Sequence, residues 1–236
     1  MSNHQILNNI EHKDLKINTE KSAQLGNAQT YSIVFPFEFK HVQADYPIFF
    51  LKDDADKINA VALFGFEQNE NLYLTEQGWQ ASYIPLMVER EPFLIGYQNN
   101  ENNEPQPVIH VDMDSPRVNS ESGVEVFLPH GGNSEYINRI STILKTIHDS
   151  EATTKLFVDS VAELDLFESF NLDIQLNNGT KNRLTGFHTI NEDKLAKLNG
   201  EQLEKLNRSG LLHLIYMVIA SHANLTALIT KKDNLV

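Results

Sequence analysis

The apolar residues of this chain change their period once, shortly after Leu128, and that change restricts its architecture more than any single motif does. Before it they come in short blocks separated by turn formers, at 47–51, 60–66, 71–74, 93–97, 108–113 and 124–127, which is how strands present themselves. From Ser134 onward Tyr136, Ile137, Ile140, Ile143, Leu144 and Ile147 fall on one face of a helix, with Asn133 or Ser134 as its cap after the Gly131-Gly132 turn. A second helix is expected over 154–164, and two such neighbours pack most simply as a pair. Next, Leu172, Ile174 and Leu176 alternate with polar residues before Asn178-Gly179, a positive-φ turn that makes a β-hairpin with the run from Leu184. INEDKLAKL and GEQLEKLNRSG then read as short helices ended by Gly200 and Gly210, and the run from Leu211 to about Ile229 as the central helix of this half.

Strands, then helices, a hairpin and helices again give an α+β fold: a β-rich half, mixed or antiparallel, packed with a helical half that contains the hairpin. The expected organisation is a flexible segment over 1–30 and a single domain over 31–236, strand-rich to 130 and helix-rich from 131. The stretch 98–107, QNNENNEPQP, is too polar to pack and is expected to be a surface loop.

Composition narrows the function. The formal net charge is −13, from 32 acidic and 19 basic residues, so nucleic acid and anionic membrane surfaces are repelled. The chain has no cysteine, which removes disulfides, thiol nucleophiles and thiolate metal sites. Residues 1–18 lack the basic start and apolar run of a secretory signal, so a cytoplasmic location is expected. The run LLHLIYMVIA at 211–220 is about half the roughly 20 residues that cross a bilayer and reads as a buried helix, with no membrane insertion. There is no phosphate loop, dinucleotide fingerprint, HExxH helix or serine-hydrolase elbow.

Two stretches hold candidate chemistry. In GWQASYIPLMVEREPFLIG, residues 78–96, Pro85 can open a helix and Pro92 disfavours one at Glu91, so at most two turns fit between them. The simpler reading is a packing corner. The functional one offers the planar donors of Arg90 to a ligand carboxylate or phosphate, with Trp79 and Tyr83 beside it. In HVDMDS, residues 110–115, His110, Asp112 and Asp114 share one face of a strand. His-x-Asp with a distant histidine, His188 or His130, is the ligand pattern of Fe(II) oxygenases, and Arg183 or Arg208 would then hold an oxoacid. Asp112 and Asp114 are also candidates to bind a divalent cation or to exchange protons. The simpler reading is a polar strand face leading into an Asp114-Ser115-Pro116 turn. His213 and His222 are half a turn out of phase and do not converge on one ion.

DYPIFF at 45–50, ALFGF at 62–66, NLYL at 71–74, the whole 78–96 stretch, VDMDS at 111–115, GVEVF at 123–127, LTGFHTINEDKL at 184–195 and SGLLHLIYMVIASHANL at 209–225 together resemble the SapC family of bacterial proteins. The resemblance runs from about Tyr31 to the last helix. It implies a setting in surface-layer or TonB-receptor-associated loci and brings no catalytic residue set. It also places a second basic residue before Arg90 and an aromatic after it, where this chain has Glu89 and Glu91.

The expectation is therefore a soluble, non-catalytic accessory or binding protein of a surface-layer or outer-membrane uptake system. Its protein or small-molecule partner and its oligomeric state are left open, and no cofactor is expected. Arg90, Trp79, Tyr83, Asp112 and Asp114 are the candidate ligand-binding residues. The alternatives are an Fe(II) oxygenase built on His110, Asp112 and His188 or His130, and a structural surface-layer subunit.

Overall fold

A computed structural model describes residues 3–100 and 102–235. In chain order the strands and helices are β1 (His4–Ile6), β2 (Lys16–Ile17), β3 (Tyr31–Ile33), α1 (Phe39–Asp45), β4 (Ile48–Lys52) and β5 (Ile58–Leu63). Then follow β6 (Leu74–Thr75), β7 (Gly78–Trp79), α2 (Leu86–Glu89), β8 (Phe93–Asn99), β9 (Pro105–Asp112), β10 (Val118–Asn119), β11 (Val124–Glu125) and α3 (Glu135–Asp149). The remainder is α4 (Glu151–Glu163), β12 (Phe167–Gln175), β13 (Lys181–Ile190), α5 (Glu192–Leu195), α6 (Gly200–Arg208), α7 (Leu211–Ser221) and α8 (Asn224–Asp233). Helices and antiparallel sheets together make an α+β fold.

The chain divides into two compact units. Unit 1 takes residues 1–27, 76–78 and 86–149, and unit 2 takes 28–75, 79–85 and 150–236. The opening segment, expected to be loose, supplies unit 1 with β1, which pairs with β9, and β2, which sits between β10 and β11. β8 and β9 form a long hairpin that reaches into the supposed loop at 98–107: Asn99 pairs with Pro105, because alternate polar residues can pair their backbones with both faces wet. The core of unit 1 gathers Leu15, Ile17, Phe93, Val111, Val126 and the inner face of α3, Ile137, Ile140, Ile143 and Leu144. Ser134 caps α3, its Oγ accepting from the Ile137 N–H at 3.3 Å.

Unit 2 is built on a five-stranded antiparallel sheet in the order β12-β13-β4-β5-β3. Its core is aromatic: Phe39 meets Phe157 edge-on, Phe50 meets Phe167, and Phe49 stacks on Phe170 and on the His222 ring. α3 and α4, expected as a pair, belong to different units. Gly200 does not end a helix; it follows the cap Asn199, whose side chain accepts from the Gln202 N–H while its own backbone N–H donates to the Gln202 side chain, and so starts α6. The run expected as one central helix breaks at 222–223 into α7 and α8. By length and composition Leu211–Asp233 is apolar enough to cross a membrane. In unit 2, α7 packs against α1, β4 and β13 and buries one face, Leu211, Ile215, Val218 and Ser221.

Candidate functional site

Arg90 is the best place to start, because its donors decide what the 78–96 stretch does. α2 is a single turn between Pro85 and Pro92, within the two turns at most that the prolines allow. One terminal amino group of the Arg90 guanidinium donates to the Phe93 carbonyl at 2.6 Å, and Nε lies 3.3 Å from the Met87 sulfur. Arg90 therefore ties the turn of α2 to the start of β8. The glutamates on either side of it point elsewhere. Glu89 and Glu91 form one wall of a cleft in unit 1 of about 290 Å³, together with Thr19, Lys21, Arg117, Val124, Tyr136, Arg139 and Ile140.

Each wall follows from local structure. Lys21 and Thr19 come from the segment after β2, held where the Asn18 N–H donates to the Arg117 carbonyl at 2.9 Å. Tyr136, Arg139 and Ile140 share one face of α3 by helical spacing. Val124 follows Gly123, whose φ of 118° and approach to the Ile17 carbonyl exclude any side chain: a Cβ there would lie 2.6 Å from the oxygen.

Arg117 is the largest fully buried side chain in the protein, only 1% exposed. Its terminal amino groups donate to the carbonyls of Asn18 and Glu20, at 3.1 and 2.8 Å, and to Asn27 Oδ1 at 2.6 Å. Its Nε makes no hydrogen bond and stands 3.7 Å from Glu91 Oε2. Lys21 Nζ stands at the same 3.7 Å from Glu89 Oε1, while the other oxygen of Glu89 accepts from exposed Arg139 at 2.8 Å. Burial pushes the Glu91 carboxyl up, against the pull of Arg117, Arg90 and Lys21. Burial likewise pushes Lys21 down, against Glu89, and lifts Tyr136 to about 12. The cleft thus holds opposite charges of which two pairs, partly desolvated, stop at 3.7 Å and one, with exposed Arg139, closes to 2.8 Å.

The other candidates are placed as follows. Trp79 and Tyr83 lie in unit 2, where the indole N–H donates to Tyr46 Oη at 2.7 Å, Tyr46 donates to the Tyr83 carbonyl at 2.5 Å, and Tyr83 donates to Glu38 Oε1 at 2.8 Å. Asp112 accepts from the Asp114 N–H at 3.2 Å and so serves the turn after β9, while Asp114 accepts from the Asn3 N–H at 3.1 Å and ties that turn to the residue before β1. His110 covers Gly96 so closely that a Cβ there would overlap its imidazole, and its Nε2 is buried without a hydrogen bond. His130 is exposed, and His188, cross-strand from Ser169 and Phe50, belongs to unit 2. Among the described residues no three His, Cys, Asp or Glu side chains are grouped to hold a metal ion. Arg183 pairs with Asp173 and Arg208 with Glu204. His222 donates to or accepts from Thr189 Oγ1 and reaches the Ile48 carbonyl at 3.1 Å, and burial lowers its pKa.

Sequence reasoning missed Arg117 and Lys21 altogether. Neither has a local signature, since both sit in polar surroundings, TEKSA and DSPRVN, that read as exposed chain.

A family model described as SapC matches residues 7–228, nearly the whole chain. No curated protein and no solved structure matches it.

Proposed function

The chain belongs to the SapC family, and from that premise we propose that it is a non-catalytic binding protein whose recognition element is the charged cleft of unit 1. The observation that carries this reading is Arg117. A guanidinium buried to 1% exposure, with three donations to the chain and its Nε–H unmet beside Glu91, is costly to keep for packing alone. An anion held in the cleft that Arg117 lines offsets part of that cost through its charge. Both carboxylates and all three cations of the cleft face opposite charges, which suits them to hold a charged molecule rather than to exchange a proton with it. Its size, at the small end of the roughly 300–1,000 Å³ of ligand pockets, favours a small metabolite. The setting is the one the family resemblance implies, an accessory role in a surface-layer or outer-membrane uptake system.

The test is equilibrium dialysis of a small-molecule cell extract against the wild-type chain and a Lys21→Met/Arg139→Met variant, both shown to be folded by circular dichroism. A compound enriched by wild type and lost in the variant is the expected result. Equal enrichment by both, none by either, or consumption of a compound with appearance of a product overturns the reading.

A further inference from the structure

We infer that the cleft of unit 1 recognises a small zwitterion of the α-amino-acid type, its carboxylate beside Lys21 and Arg117 and its ammonium beside Glu91 and Glu89. The inference rests on the binding reading above and adds the chemical class of the ligand. Three observations support it.

The first is charge balance. Arg139 is 69% exposed on its side chain and is hydrated by solvent. The remaining charged walls are two cations, Lys21 and Arg117, and two carboxylates, Glu89 and Glu91. A lone anion or a lone cation would leave this partly desolvated set with a net charge, whereas a zwitterion leaves it neutral.

The second is distance. Lys21 to Glu89 and Arg117 to Glu91 both stand at 3.7 Å, within ion-pair range and beyond hydrogen-bond length. Lys21 keeps donors, and Glu91 and the Oε1 of Glu89 acceptor sites, that their partners do not saturate, while the free Nε–H of Arg117 is buried and acts on the cleft through its charge. A carboxylate accepting from Lys21 and an ammonium donating to the carboxylates would satisfy both sets together.

The third is access. The side chains of Glu91 and Glu89 are 30% and 19% exposed and that of Lys21 13%, so they can be reached from the cleft without unfolding it. The apolar contribution of Val124, Ile140 and the Tyr136 ring gives the ligand's carbon atoms a wall to lie on. The directions of the Lys21 and Glu91 pKa shifts agree: burial disfavours each charge, and a ligand charge of opposite sign would restore it.

The experiment is calorimetric titration of the full chain with L-alanine, propionate and ethylammonium, the last two being alanine without its ammonium and without its carboxylate. Alanine is expected to bind at least about tenfold more tightly than either half, since a charge-assisted hydrogen bond contributes about 1.5–3 kcal/mol. Glu91→Gln, which keeps the shape of the side chain, should bring alanine down to the affinity of propionate and leave propionate unchanged. Lys21→Met should do the converse, bringing alanine down to ethylammonium, and it carries the test if Glu91→Gln fails to fold. Propionate or ethylammonium binding as tightly as alanine, alanine binding insensitive to both variants, or no binding by any of the three overturns the zwitterion. If the extract still yields a compound lost in Lys21→Met/Arg139→Met, the binding reading survives and only the ligand class fails.

Discussion

Around Tyr46 in unit 2 the polar groups run in a closed chain: Trp79 donates to Tyr46, Tyr46 to the Tyr83 carbonyl, Tyr83 to Glu38, and Glu38 accepts from the Phe35 N–H at 3.0 Å. In unit 1 the polar groups of the cleft are charged, and two of their pairs stop at 3.7 Å with a buried guanidinium N–H left over. Both regions place polar atoms among aromatic and aliphatic neighbours, where an unmet hydrogen bond is expensive. The first meets that demand within the chain and gains a rigid core. The second leaves part of it for another molecule. A closed polar network is a structural device, and an open charged one is where recognition is to be sought.

The largest test of this contrast is Arg117→Met. Removing the guanidinium leaves the Asn18 and Glu20 carbonyls and Asn27 Oδ1 each short of one donor and Glu91 without its counter-charge. Breaking a buried ion pair from one side costs about 3–5 kcal/mol. Urea denaturation should show a loss of that size, a large fraction of the roughly 5–15 kcal/mol that ordinary domains have. A loss below about 1 kcal/mol, the range of a surface ion pair, would mean that Arg117 is not integral to unit 1.

Tyr46→Phe probes the closed network and should cost less. The hydroxyl accepts from Trp79 and donates to Tyr83, and its burial raises its pKa above the ordinary tyrosine range. Its loss strands an indole N–H and a carbonyl, for about 1–3 kcal/mol. The comparison predicts that ligand titration of the unit 1 cleft is unchanged in this variant. A change in affinity as large as that of Glu91→Gln would show that the closed network and the cleft do not act separately.

How much of this was legible in the sequence depends on range. Local rules located what local forces decide: the period of α3, a cap at Asn133 or Ser134, the Asn178-Gly179 hairpin, and no more than two helical turns between Pro85 and Pro92, where one forms. The family resemblance, carried by an ordered set of stretches, extends over a match of 7–228. Long-range pairing was not legible. Nothing in NHQILN announces that His4–Ile6 pairs with Asp112, Val111 and His110 more than a hundred residues away. The burial of Arg117 is of the same kind, since its acceptors lie at 18, 20 and 27, and a turn arginine looks alike whether or not such a segment wraps it.

Arg90 is the instructive intermediate case, and it sets the smallest prediction. Its place between the prolines reads as part of a corner, but alternation of residue type could not say which of Glu89, Arg90 and Glu91 faces the cleft. Arg90 and Glu91 lie just past the end of α2, where helical spacing no longer sets their directions. Arg90 turns back to the Phe93 carbonyl while Glu89 and Glu91 help to wall the cleft. Arg90→Gln removes that bond from a partly buried carbonyl and should lower stability by about 0.5–1.5 kcal/mol in urea denaturation. Alanine titration should give the same affinity as wild type. Lost affinity in a variant of wild-type stability would return Arg90 to the recognition site and make the corner itself, rather than the glutamates beside it, the part of the stretch that meets the ligand.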